Sequence, residues 1–255
     1  MRLRGILFAV AAILLTGAAQ AAPAGTAVGV DPAASSSIGT VTKTLVVGSD
    51  VGMGDKIVTG ASGQVQLVFT DQTHLVVGPN SSLVIESYLL RGDKLASKFA
   101  VNALSGTFRF ITGKSDHSAY HIATPTGTIG IRGTAFDFNV GTTTTVALFR
   151  GAVELCTLDP RQPHCVVLDH QCQAGEIQQQ QSTIYGHWQA IDDGLRDKFH
   201  YILSQKPLLP DFHVDESRQC FRNVNPSPGG VSVPMTGGTF ESTEPLCEGY
   251  PCSPG

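Results

Sequence analysis

The residues able to do chemistry are scattered rather than grouped. His74, His117 and His121 are the histidines of the β-rich region. None has a nucleophile and an orienting acid spaced around it as acyl transfer requires, and no G-x-S-x-G elbow is present. His121 sits in Ala119-Tyr120-His121-Ile122, where a lone strand histidine reads as an exposed or satisfied side chain. Asp71, Glu86, Asp116 and Asp137 are dispersed, whereas glycoside chemistry needs two carboxyl groups facing each other across a cleft. Two phrases imitate nucleotide sites and fail on their glycines. Phe108-Arg109-Phe110-Ile111-Thr112-Gly113-Lys114-Ser115 ends like a phosphate loop but has Phe108 where the first glycine must turn the chain. Gly127-Thr128-Ile129-Gly130-Ile131-Arg132-Gly133 has the wrong spacing for a dinucleotide fingerprint. The expectation is a non-enzymatic protein without a cofactor.

The six cysteines are Cys156, Cys165, Cys172, Cys220, Cys247 and Cys252, so none falls in the first half of the chain. Zinc is one reading, because His164, His170 and His213 lie near them. No C-x-x-C pair exists, however, and an even count in an exported chain favours disulfides. Local pairing of Cys156 with Cys165 and of Cys247 with Cys252 is expected, with no metal site.

Export itself is read from residues 1–21. Arg2 and Arg4 precede an apolar run from Ile6 to Leu15, and Ala19-Gln20-Ala21 fits a signal-peptidase site. At about ten residues the run is short of the roughly 20 needed to span a bilayer, so a cleaved signal is preferred to an uncleaved anchor. No transmembrane segment is then expected in the mature chain, which would reside in the periplasm or at the cell surface. The whole chain carries 17 basic and 21 acidic side chains, a net charge of −4 that excludes the dense basic footprint of a nucleic-acid binder.

The elements that must position any site are strands. Between residues 38 and 180, runs of β-formers alternate with Gly, Asp, Asn, Ser and Pro at intervals of roughly 8 to 12 residues. Val65, Leu67 and Phe69 fall on one face of a strand and Gln64 and Gln66 on the other. Phe136, Phe138 and Val140 repeat the pattern, as do Phe108 and Phe110 about Arg109. This predicts an all-β domain, a short-stranded roll, solenoid-like stack or sandwich. Residues 22–37 read as a linker and 181–222 as a helical elaboration. Trp188, Ile191, Leu195, Phe199 and Ile202 form one apolar stripe, which predicts a helix over 187–204. From 223 to 255 the composition turns to Pro, Gly, Ser and Thr, which predicts a disordered tail.

Several of these runs together are similar to FecR domains. Gly52-Met53-Gly54-Asp55-Lys56-Ile57-Val58-Thr59-Gly60, Leu67-Val68-Phe69-Thr70-Asp71 and Gly78-Pro79-Asn80-Ser81-Ser82-Leu83 resemble the first half. Leu104-Ser105-Gly106-Thr107, Ala123-Thr124-Pro125, Gly130-Ile131-Arg132-Gly133-Thr134-Ala135-Phe136, Gly151-Ala152-Val153-Glu154 and Ala174-Gly175-Glu176 resemble the second. The resemblance implies an exported all-β module that contacts other proteins or glycans. The sigma-regulating members of the family also have a cytoplasmic segment and a spanning helix. A signal peptide in that place here leads us not to carry their signalling role over.

Gly130, Arg132, Gly133, Thr134 and Asp137 are the candidate binding or structural residues. Two glycines and small neighbours leave room around the planar guanidinium of Arg132. It either ties a turn to carbonyls or to an acid such as Asp137, or it receives an anionic partner group. The expected function is an envelope interaction or scaffold module with a protein partner, the alternative being a binder of peptidoglycan or exopolysaccharide.

Overall fold

A computed structural model of the chain describes residues 23–92, 94–187, 197 and 199–220. The expected signal segment, the tail from 223, Cys247, Cys252 and most of the helix expected over 187–204 lie outside these residues. Among the described residues, no helix is long and apolar enough to cross a membrane.

Among the described residues, fifteen strands make one continuous sheet. They are β1 (Gly25–Asp31), β2 (Ala34–Ile38), β3 (Val41–Thr44), β4 (Asp50–Val51), β5 (Lys56–Thr59), β6 (Gln64–Phe69), β7 (His74–Val77) and β8 (Ser82–Arg91). There follow β9 (Leu95–Ile111), β10 (Tyr120–Ala123), β11 (Gly127–Val140), β12 (Thr144–Thr157), β13 (Cys165–Leu168), β14 (Gln173–Ile177) and β15 (Ser182–His187). The fold is all-β, as the alternation predicts.

The long strands β9, β11 and β12 each serve two layers. In one layer, β3, β2, β5, β8, the first half of β9, β10, the first half of β11, the second half of β12 and β13 lie side by side. In the other the order is β4, β1, β6, β7, the second halves of β9 and β11, the first half of β12, β14 and β15. Val65, Leu67 and Phe69 of the second layer and Leu83, Phe99 and Ile129 of the first join a single core. Phe99 sits across it, edge-on to Phe69 at 4.7 Å and to Phe110 at 5.7 Å.

The central strands are longer than the turn spacing suggests, because glycines that read as turns are bends within strands. The β11–β12 register shifts between Arg132 and Ala135, where Gly133 has φ +67° and Gly151 opposite has φ +80°. A side chain on Gly151 would run into the carbonyl of Gly133, so the two strands fold together from one layer into the next only if both stay bare.

Residues 22–37 are not a linker. From Gly25 on they supply β1 and β2, with Ala27 and Ser36 fully buried. Small side chains give a weak strand signal by composition, yet they are what fits where β1 lies against β6. The segment expected as a helical elaboration begins instead with β15, which continues the sheet to His187. Of the expected apolar stripe, Phe199 and Ile202 pack on Ile111, Ala135 and Phe149 next to a single helical turn, His200–Leu203. The chain from 199 to 220 then runs as a strap over the outer face of the second layer, with Tyr201, Leu208 and Phe212 seated against Val76.

Candidate functional site

Under the strap lies a buried ion pair that alternation alone would have sent to solvent. Arg109, between the core residues Phe108 and Phe110, points to the outer face of β9 and is fully buried. Its Nε and Nη2 donate to the two carboxylate oxygens of Asp137 on β11, at 2.7 and 2.9 Å. Nη2 also donates to the carbonyl of Tyr201 at 3.2 Å, and Nη1 to that of Phe212 at 3.3 Å and to Oε1 of Gln205. Phe149 and Tyr201 lie over the guanidinium at 5.5 and 5.8 Å. Burial pushes the carboxyl of Asp137 above its ordinary range, against the opposing pull of Arg109. Gln66 and Gln64, on the same face, bond the strap backbone at Pro207 and Leu209. The acid expected to pair with Arg132 is therefore bound by Arg109. The signal available in the sequence was a cation flanked by two core phenylalanines.

Asp71 heads a second buried network. It follows Thr70 in the turn after β6 and is 1% exposed. Its carboxylate accepts from the amide and hydroxyl of Thr73, at 3.1 and 2.9 Å, and from Ser115 at 2.8 Å, Tyr120 at 2.8 Å and Tyr88 at 3.2 Å. Burial, then the neighbouring Asp71 charge, raises the Tyr88 hydroxyl pKa well above its usual value; burial raises that of Tyr120 as well. The phrase that imitates a phosphate loop supplies Ser115 to this carboxylate and the amide of Lys114 to the carbonyl of Asp71. Asp71 and Asp137 thus sit in separate closed networks, while Glu86 and Asp116 are exposed.

The segment from Gly130 to Phe136 divides at its bend. Thr134 and Phe136 are buried, Gly133 makes the bend, and Asp137 joins Arg109. Arg132 points outward and is exposed, and among the described residues no hydrogen bond or ion pair holds its guanidinium. Together with His117, Ser118, Tyr120, Gly130, Ile131 and Glu154 it lines an open depression of about 500 Å³ on the first layer. A side chain on Gly130 would meet Glu154 alone, at ordinary contact distance, so the bare glycine keeps the floor low between His121 and Glu154.

The described cysteines pair with one another. Cys156 joins Cys165 across β12 and β13, and Cys172 joins Cys220, which fastens the end of the strap to the loop before β14. His164 bonds Ser182 through Nδ1, and no group of three metal-ligating side chains occurs among the described residues. Non-reducing peptide mapping is expected to recover both links at full occupancy. A free thiol at any of these four positions would contradict the pairing.

The comparisons come to a family model and a distant structural likeness. The FecR protein family model matches residues 55–154. No curated protein matches the sequence. Two crystal structures of a candidate anti-sigma factor from Parabacteroides distasonis ATCC 8503 are similar at 11% identity, with TM-scores of 0.40 and 0.38. The likeness covers 52% of this chain and 59% of the solved chains, so the chain spans about three fifths of their length. Reaching from the turn before β5 to the middle of the second half of β12, the family match identifies residues 55–154 of this chain as a FecR domain.

Proposed function

We propose that the protein is a non-enzymatic binding module of the bacterial envelope that engages a partner protein through the depression around Arg132. The carrying observation is a division of polar groups. Asp71, Arg109 and Asp137 are locked in buried networks, whereas Arg132 is presented, unpaired among the described residues, beside Glu154 and His117 in an open hollow. A shallow open surface suits recognition of a partner and lacks the enclosure a reacting substrate needs. The FecR match supports a regulatory or sensing domain over a catalytic one. The export pattern of residues 1–21 and the two disulfides support an oxidising compartment.

Arg132→Ala is expected to leave the thermal midpoint unchanged, because no internal partner loses a donor. In-cell crosslinking of the parent chain should yield a defined adduct that the variant loses. Sedimentation with purified cell wall separates the glycan alternative: saturable binding lost in Arg132→Ala would make the partner a glycan. Identical adducts and identical sedimentation in parent and variant would refute the assignment of this hollow.

A further inference from the structure

The strap closes on itself at a neck. Gln205 accepts from the amide of Val214 at 2.7 Å through Oε1 and donates to the Val214 carbonyl at 3.2 Å through Nε2, so two stretches nine positions apart are clasped by one side chain. The same Oε1 accepts from Nη1 of Arg109, which fixes the neck to the buried ion pair beneath it. Lys206 follows Gln205 and His213 precedes Val214, so the neck brings both to one place. The ring of His213 is held there, its Nε2 on the carbonyl of Leu208 at 3.0 Å. Beyond Val214 the chain enters a short helix, Asp215–Gln219, whose Ser217 donates to the Val214 carbonyl at 2.7 Å, and the next residue is Arg218. Ser204, Gln205, Lys206, His213 and Arg218 thereby surround one open hollow of about 210 Å³.

Among the described residues no carboxylate lines this hollow. Lys206 and Arg218 are exposed, and among the described residues neither side chain has a hydrogen-bonded or ionic partner. Of the acids close by in sequence, Glu216 is taken by Arg150 at 3.2 Å, and Asp211 and Asp215 stay outside the lining. Most exposed cations are simply solvated. Here two of them stand unopposed over a floor, Gln205, that is buried and fixed from below, in a chain with 21 acidic and 17 basic side chains. Such an arrangement concentrates positive potential at one point of an otherwise acidic molecule.

We propose that this hollow binds the phosphate group of a phosphomonoester, free in solution or carried on a lipid headgroup. Two permanent cations match the nearly double negative charge of a phosphomonoester at neutral pH. The donors come from three stretches of chain around the hollow. That suits the several oxygens of a tetrahedral group, whereas a flat carboxylate is saturated by one guanidinium fork and would leave Lys206 unmatched. The hollow lies on the strap, outside the matched residues 55–154 and away from the Arg132 depression, so its test is separate from that of the proposed interaction surface.

Titration of the full chain with inorganic phosphate, followed by amide NMR, is expected to give saturable shifts at Ser204, Lys206, His213 and Arg218. Sodium chloride at equal ionic strength should not reproduce them. Lys206→Gln and Arg218→Gln should each weaken binding about tenfold. Both residues are exposed, so the melting temperatures should stay with the parent. Lys98→Gln, which removes an exposed cation from the β8–β9 hairpin, should leave binding unchanged. Glycerol 3-phosphate and vesicles of phosphatidylcholine containing phosphatidic acid separate the two sources. Equal affinity per phosphate assigns a soluble ester, and vesicle binding at least tenfold tighter that is lost in Arg218→Gln assigns a lipid headgroup. Absence of saturable shifts with every one of these probes overturns the proposal. So does an equal loss in Lys98→Gln and Arg218→Gln, which would reduce the effect to diffuse attraction.

Discussion

Arg109→Ala is expected to cost about 4 kcal/mol of unfolding free energy, because it strands the fully buried carboxylate of Asp137 and frees the strap carbonyls of Tyr201 and Phe212. Breaking a buried pair from one side removes the attraction and leaves the desolvation. Replacing both partners by apolar groups removes both terms. Arg109→Met with Asp137→Leu should therefore recover most of the loss, which a mere packing defect would not allow. The pH dependence has a definite sign. Without Arg109 the Asp137 carboxyl, already raised by burial, rises further, so the folded variant holds a proton that the unfolded chain releases. The deficit is then small near the unfolded-state value of about 4 and grows as pH rises toward the folded-state value. Urea unfolding at pH 5 and pH 8 should show the wider gap from the parent at pH 8. A deficit under about 1 kcal/mol at both, or a wider gap at pH 5, would remove the ion pair from its place as the anchor of the strap.

Much of the body of the fold was legible because its signal is periodic. Val65, Leu67 and Phe69 point into the core as their alternation requires, and so do Phe108, Phe110, Phe136 and Phe138. The link between Cys156 and Cys165 was also readable, since a short excursion between two cysteines suits facing positions on neighbouring strands. Three features escaped for physical reasons. Glycine marks a turn and a bend alike, so Gly133 and Gly151 carry no sign in the sequence that the strands run on past them. Small residues bury little area, so β1 and β2 gave no hydrophobic pattern. Polar side chains on the outer face, Gln64, Gln66 and Arg109, signal solvent unless a distant segment covers them, and the strap that does so follows some 60 residues or more after Asp137. The candidate site was accordingly half legible. The segment holding Arg132 was found, but the acid assigned to it belongs to Arg109, and the neighbours that make the hollow, His117 and Glu154, are brought in by topology alone.

Asp71→Ala is expected to be as damaging as loss of Arg109, at about 4 kcal/mol, although no cation is involved. One carboxylate holds five donors, four hydroxyls and the amide of Thr73, and deleting it leaves the hydroxyls of Tyr88, Tyr120, Ser115 and Thr73 buried without this acceptor. Each orphaned group costs on the order of 1–3 kcal/mol, reduced where water or a neighbour fills the space. The same residue closes three parts of the chain on one another: the turn after β6, the end of β8 through Tyr88, and the loop from β9 to β10 through Ser115 and Tyr120. Asp71→Asn keeps the shape but exchanges one acceptor oxygen for a donor, so it should fall between parent and alanine, at about 2 kcal/mol. The tyrosines supply a readout that simple loss of packing would not move. The Asp71 charge helps hold the ionisation of Tyr88 high, so in the folded Asn variant Tyr88 should ionise at lower pH than in the parent, as followed by ultraviolet titration. An alanine variant within about 1 kcal/mol of the parent, with tyrosine titration unchanged in the asparagine variant, would mean that the network is bystander to the turn, and that the loop imitating a phosphate site is held by its backbone contacts with Asp71 alone.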